Sequence, residues 1–321
     1  MTRRVHLIVS RGQTLHPDRR TLEDQLISQF AGDGRCRLLV VPHLYDLTSD
    51  GPSVAALREI ADDVIVLAWL VPRAAYWILD RFGIRGRFEQ TEVDDQDLSR
   101  RAAPALAEVD ERESDRPGAL PQRRIVCLDL RAYAAVQPAG AAIRQMLAEF
   151  GDHDAGVPET SPAVRQIDES VKRRWYPVID FGRCTNCLEC LDFCLFGVYS
   201  VDEAGQVFVE LPEQCRKGCP ACSRVCPEQA IMFPQHKLPA IAGDLRDGGS
   251  LKMNLSNLFG AADDLFQPHD LAARERDEHL LLAGQPPAET ARKPRQPEAD
   301  QAEKSKDELD TLMDQLDELD V

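Results

Sequence analysis

The sequence predicts an α/β domain over residues 1–150, a small α+β domain over 175–235 and a largely disordered acidic tail over 236–321. Three observations carry this expectation. Up to residue 150, short β-branched runs alternate with longer helical patterns, the signature of βαβ units around a parallel sheet. Eight of the ten cysteines are then packed between Cys184 and Cys226. The net charge of −16 is uneven: from Gln296 to Val321 ten acidic residues against Lys304 and Lys306 leave −8, half the total.

The elements of the first domain follow in order. Val5–Val9 reads as a first strand, and Thr21–Phe30 as a helix whose Thr21 and Asp24 resemble a capping box. Arg37–Val41 is a second strand, stopped by Pro42, and Ser53–Asp62 a second helix. Val64–Leu70 is so continuously apolar that it fits a strand buried on both faces. Pro72 suits the first turn of a helix over Ala74–Arg81, which Gly83 ends. Ile125–Leu130 is a fourth strand, followed by a helix over Pro138–Phe150. The pattern fails over 86–124, a polar insertion expected to be irregular apart from a transient helix near Leu98–Leu106. Residues 151–174 read as a linker.

In such a Rossmann-like, doubly wound sheet, ligands bind beyond the carboxyl ends of the strands. His43, Tyr45, Asp46, Arg73 and Arg131 fall near those ends. They fit either a pocket for an anionic ligand, a docking face for the following domain, or merely solvated loops. Ser10-Arg11-Gly12-Gln13-Thr14 has one glycine where a dinucleotide fingerprint needs three, and no Walker A sequence occurs. Cys36 and Cys127, beside and inside predicted strands, have no partner at ligand spacing and read as small apolar residues, and His6 reads as a strand residue rather than a ligand.

The cysteines carry the specific signal. Cys184, Cys187, Cys190 and Cys194 form CxxCxxCxxxC; Cys215, Cys219, Cys222 and Cys226 form CxxxCxxCxxxC, with Pro227 next. Thiolates at that spacing wrap three sulfurs around an iron–sulfur cubane, and the fourth is far enough along to reach a neighbouring cluster. Residues 175–235 resemble a bacterial-type ferredoxin with two [4Fe-4S] clusters, a resemblance that covers about a fifth of the chain. It implies crossed ligation. One cluster would take Cys184, Cys187, Cys190 and Cys226, and the other Cys215, Cys219, Cys222 and Cys194. Gly197–Val201 and Val207–Val209 read as a hairpin turning at Asp202–Gly205, with Ala230–Phe233 closing the repeat.

Two departures from that family stand out. Leu195 takes the place of a proline, and three residues rather than two separate Cys215 from Cys219, an excess that Gly218 can absorb as a bulge. The second departure also matches the CxxxCxxC of radical S-adenosylmethionine enzymes, but no barrel-like pattern follows it. Zinc ribbons use two well-separated CxxC pairs instead. Clusterless ferredoxin folds lose cysteines, whereas this chain has all eight.

The tail is poor in aromatic residues and rich in Pro, Glu, Lys and Gln. Leu251–Phe259 is a candidate partner-binding segment, and Leu309, Leu312, Met313, Leu316 and Leu319 share one face of a helix over 307–320. An acidic chain without a lysine-rich block is unsuited to nucleic acid. The longest apolar run, Val64–Pro72, is too short to span a bilayer, and nothing resembles a signal peptide. A cytoplasmic electron carrier acting on redox partner proteins, through the acidic tail or otherwise, is the expectation. The alternatives are a reductase with an anion pocket in the α/β domain, and an assembly protein with structural clusters.

Overall fold

A computed structural model of the chain describes residues 5–14, 16–89, 122–150, 164–245 and 268–288. Six parallel strands form the main sheet: β1 (Val5–Ser10), β2 (Cys36–Val41), β3 (Asp63–Ala68), β4 (Arg87–Glu89), β5 (Arg124–Asp129) and β6 (Val164–Gln166). Their order is β4-β5-β3-β1-β2-β6, so the chain reverses direction across the sheet between β1 and β3. The alternation of each strand sorts its side chains to two faces. Val5, Leu7, Val9, Leu38, Val40, Ile65 and Leu67 pack under helices α1 (Pro17–Phe30) and α4 (Val136–Glu149). Ile8, Leu39, Val41, Val64 and Val66 pack under α2 (Pro52–Arg58) and α3 (Pro72–Arg81). This is the doubly wound α/β arrangement the sequence predicts.

Several boundaries differ from expectation. Helix α1 begins at Pro17, four residues before Thr21, because proline suits the first helical turn; Thr21 is therefore an interior residue and not a cap. Residues 164–166, assigned to a linker, form β6 and pair with Leu38–Val40. Of the insertion, Arg87–Glu89 pairs with Arg124–Val126. The remainder, 90–121, lies outside the described residues, as do Leu251–Phe259 and the expected helix over 307–320.

The cysteine-rich region carries β7 (Val178–Ile179), α5 (Glu189–Phe193), β8 (Tyr199–Val201), β9 (Val207–Val209), α6 (Ala221–Val225) and β10 (Ile231–Met232). β8 and β9 form the expected hairpin, and β10 returns antiparallel to β7. The largely disordered tail expected from 236 onward carries two helices among the described residues. Residues 239–242 form helix α7 (Pro239–Ala242), and 268–282 form helix α8 (Pro268–Leu282). Both pack: Ile241 joins the core of the cysteine-rich region, and Ala272 and Ala273 press on Phe193, Cys219 and Ala221. Among the described residues no helix is long and apolar enough to cross a membrane.

Candidate functional site

The first cysteine motif is bent into a loop by backbone contacts of its own. Cys184 N donates to the Asp180 carbonyl at 3.0 Å, and Arg183 N to the Asp180 carboxylate at 3.2 Å. Asn186 and Leu188 adopt positive φ, at 57° and 63°, which turns the chain tightly before α5 begins. The Asn186 amide fastens that loop to the hairpin, donating to Gly205 O and accepting from Val207 N, each at 2.8 Å. Cys190 then lies in α5, and Cys194 directly follows it.

In the second motif, Cys215 follows a 3-10 turn at Pro212–Gln214. The extra residue is taken up by a turn in which Cys219 N donates to Arg216 O at 3.0 Å, with Gly218 at φ 89°. That φ is open to glycine and strained for most other residues. Cys222 sits in α6 and Cys226 ends it.

These bends bring the eight thiols to two cavities. One is lined by Cys184, Cys187, Cys190 and Cys226. The other is lined by Cys194, Cys215, Cys219 and Cys222. Each combines three cysteines of one motif with the last of the other. The remaining walls are mainly apolar, with Ile179, Leu188, Val207 and Ile231 at the first and Pro177, Phe196, Val198 and Ala221 at the second.

The environment of the sulfurs fits a group that binds thiolates. Burial pushes the Cys219 thiol up to about 11 and moves Cys190 and Cys215 in the same direction. Thiolate charge there needs a compensating metal, because a buried unpaired charge is costly. Donors aimed at sulfur are already in place. Ala230 N lies 3.3 Å from Cys226 Sγ, and Tyr199 donates its hydroxyl to Cys222 Sγ at 3.0 Å. Backbone N–H groups of Asn186, Leu191 and Ala221 reach Cys184, Cys190 and Cys219. Such bonds tune iron–sulfur centres. A single zinc ion requires four ligands about 2.3 Å from one point. Among the described residues no three His, Cys, Asp or Glu side chains converge in that way.

The row of strand-end residues is mostly engaged with the cysteine-rich region and its lead-in. Tyr45 stacks on Tyr176 with ring centroids 4.3 Å apart; its hydroxyl donates to Tyr176 O and accepts from Tyr176 N at 2.7 Å. Asp46 accepts from Arg174 N at 3.0 Å and from the Gln13 amide at 2.6 Å. Arg73 donates from Nε to Asp180 and from Nη2 to Gln229 O at 2.8 Å, tying together the segments that lead to Cys184 and away from Cys226. His43 is buried beside Asp46, and desolvation pulls its pKa down to about 4 against the pull of that carboxylate. Arg131 stands apart, exposed and forked onto Asp129. Cys36 is half-buried at the start of β2, and Cys127 is buried in the sheet.

One buried carboxylate is not legible in the sequence. Glu23, on α1, fills the crevice between β1 and β3 where the sheet reverses. It accepts from Gly12 N at 2.7 Å, Trp69 Nε1 at 2.8 Å, Arg20 at 2.9 Å and Arg11 at 3.2 Å. Nothing in its local sequence separates it from a solvated helix residue.

Comparison with known proteins gives two similarities. The chain is 50% identical over 66 residues, 20% of its length, to an uncharacterised ferredoxin of Methanocaldococcus jannaschii. It is 36% identical over 59 residues, 18% of its length, to pyruvate synthase subunit PorD of the same organism. The matches span 44% and 66% of those relatives, less than two thirds of each. No family model matches the chain, and no solved structure does.

Proposed function

We propose that the protein is an iron–sulfur electron carrier holding two [4Fe-4S] clusters and relaying single electrons within a redox complex. One cluster is held by Cys184, Cys187, Cys190 and Cys226, the other by Cys215, Cys219, Cys222 and Cys194. The observation that carries this reading is the sorting of eight thiols into two apolar-walled cavities, four to each. A relative named ferredoxin and another named as a subunit of pyruvate synthase support the same chemistry and a place among redox subunits.

A bound [4Fe-4S] cluster takes up and releases one electron. The chain's own residues do the rest. The thiols fix each site; Ala230 N and the Tyr199 hydroxyl donate to sulfur and favour the negatively charged state. The apolar walls limit water. Arg73 and the Tyr45–Tyr176 pair hold the α/β domain against the cysteine-rich region, so the former serves as a docking platform. Redox partner proteins supply and accept the electrons, and the acidic stretch 296–321 suits a basic partner surface. Anaerobic purification followed by iron and sulfide counting tests the reading. Two cubanes give about eight irons per chain, with paramagnetic signals after dithionite reduction. A count of about four removes one site.

A further inference from the structure

The linings of the two cavities differ in charge, and part of the difference comes from a helix outside both cysteine motifs. Glu189 and Glu228 line the first cavity and no cation does; the buried Arg73, which is felt at Cys226, stands outside the lining and is paired with Asp180. Arg276 lines the second, which has no acidic lining residue. Helix α8 delivers Arg276. Its guanidinium lies 4.6 Å from the centre of the Phe193 ring, and the residue is only 4% exposed. Arg276 Nε donates to Asp277 at 2.9 Å; Nη2 lies 2.8 Å from the same carboxylate without hydrogen-bond alignment. Neighbouring Glu275 is occupied by Arg224 at 2.7 Å. Ala272 and Ala273 let the helix approach Phe193 and Cys219 closely, and His279 touches the space above Gly218.

Resting on the two-cluster reading, we propose that Arg276 makes the second site the higher-potential one of the pair. Reduction adds one negative charge to a site, so a nearby buried cation favours the reduced state and nearby carboxylates disfavour it. Burial keeps salt from screening the effect. The partnered Asp277 weakens the cation without cancelling it, since that carboxylate is the more exposed of the two.

The test is an anaerobic redox titration of the full chain, followed by paramagnetic resonance, with iron counted in every sample. Wild-type protein should show two midpoint potentials. Arg276→Gln should lower the upper one and leave the lower one in place, and Arg276→Lys should restore most of the shift. Movement of the lower potential alone, equal movement of both, or movement of neither overturns the proposal. Where Arg276→Gln fails to load the second site, Asp277→Asn serves instead: it keeps Arg276, removes its counter-charge and should raise the upper potential. No rise overturns the proposal equally. A wild-type count of about four irons defeats the two-cluster reading itself, whereas about eight with an unmoved upper potential defeats only the role of Arg276.

Discussion

The six-stranded sheet buries Leu7, Ile65, Val66 and Leu67 completely between helices on both faces, whereas the cysteine-rich region gathers its few buried apolar residues around two thiol-lined cavities. Its strands are two or three residues long and its helices α5 and α6 five residues each. Elements so short bury little surface and supply few cooperative hydrogen bonds, so the sheet holds itself while the cysteine-rich region depends on what its thiols bind. With the proposed clusters bound, one chain contains two sources of order: packed hydrocarbon in the first part, and ligation plus borrowed contacts in the second. Arg73, Tyr45 and helix α8 are those borrowed contacts.

Chelating the iron under anaerobic conditions is the largest perturbation of this contrast. Amide exchange should show the region around Cys184–Cys226 losing protection while β1, β3 and β5 keep theirs. Loss of protection in both would break the contrast, and retention in both would make ligation irrelevant to folding.

Ile65→Ala reverses the experiment. Ile65 is fully buried against α1 and α4, and its truncation should cost about 2–5 kcal/mol. Thermal unfolding should fall while iron content in the folded protein stays the same.

A smaller effect lies between the two regions. The His43 pKa is depressed to about 4 in the folded protein, against an ordinary 6.5. Between those values the unfolded chain binds the proton and the folded one does not, so stability is full above about pH 6.5 and declines as pH falls toward 4. At about 1.4 kcal/mol per unit the loss is at most about 3 kcal/mol. Denaturation of wild-type protein and of His43→Gln across that window should show the slope flattened in the variant. An identical slope would assign the acid sensitivity elsewhere.

What the sequence made legible follows the same divide. Val64–Leu70 and Val5–Val9 announce themselves because strands buried on both faces are nearly all apolar. The cysteine spacing stands out because thiolate ligation needs fixed intervals, and the fold sorts those cysteines four to each cavity. Three features stayed hidden. β6 is only Val-Arg-Gln, too short for a period. The inward stripe of α8 is Ala272, Arg276 and Leu280, in which a small residue and a charged one hide the apolar period. Glu23 is decided by the crevice at the reversal of the sheet, a tertiary fact absent from its neighbours in sequence. The sequence puts Arg73 near a strand end, but only the fold shows that Asp180 and Gln229 occupy its guanidinium.

Under the proposed ligation each cluster takes three cysteines from one motif and the last from the other, and iron counting on two double variants distinguishes this from ligation within each motif. With crossed ligation, Cys190→Ala with Cys226→Ala damages the first site alone and keeps about four irons, whereas Cys190→Ala with Cys194→Ala damages both sites and keeps fewer. The opposite ranking, with the Cys194 combination retaining about four irons and the Cys226 combination losing both clusters, would contradict the account.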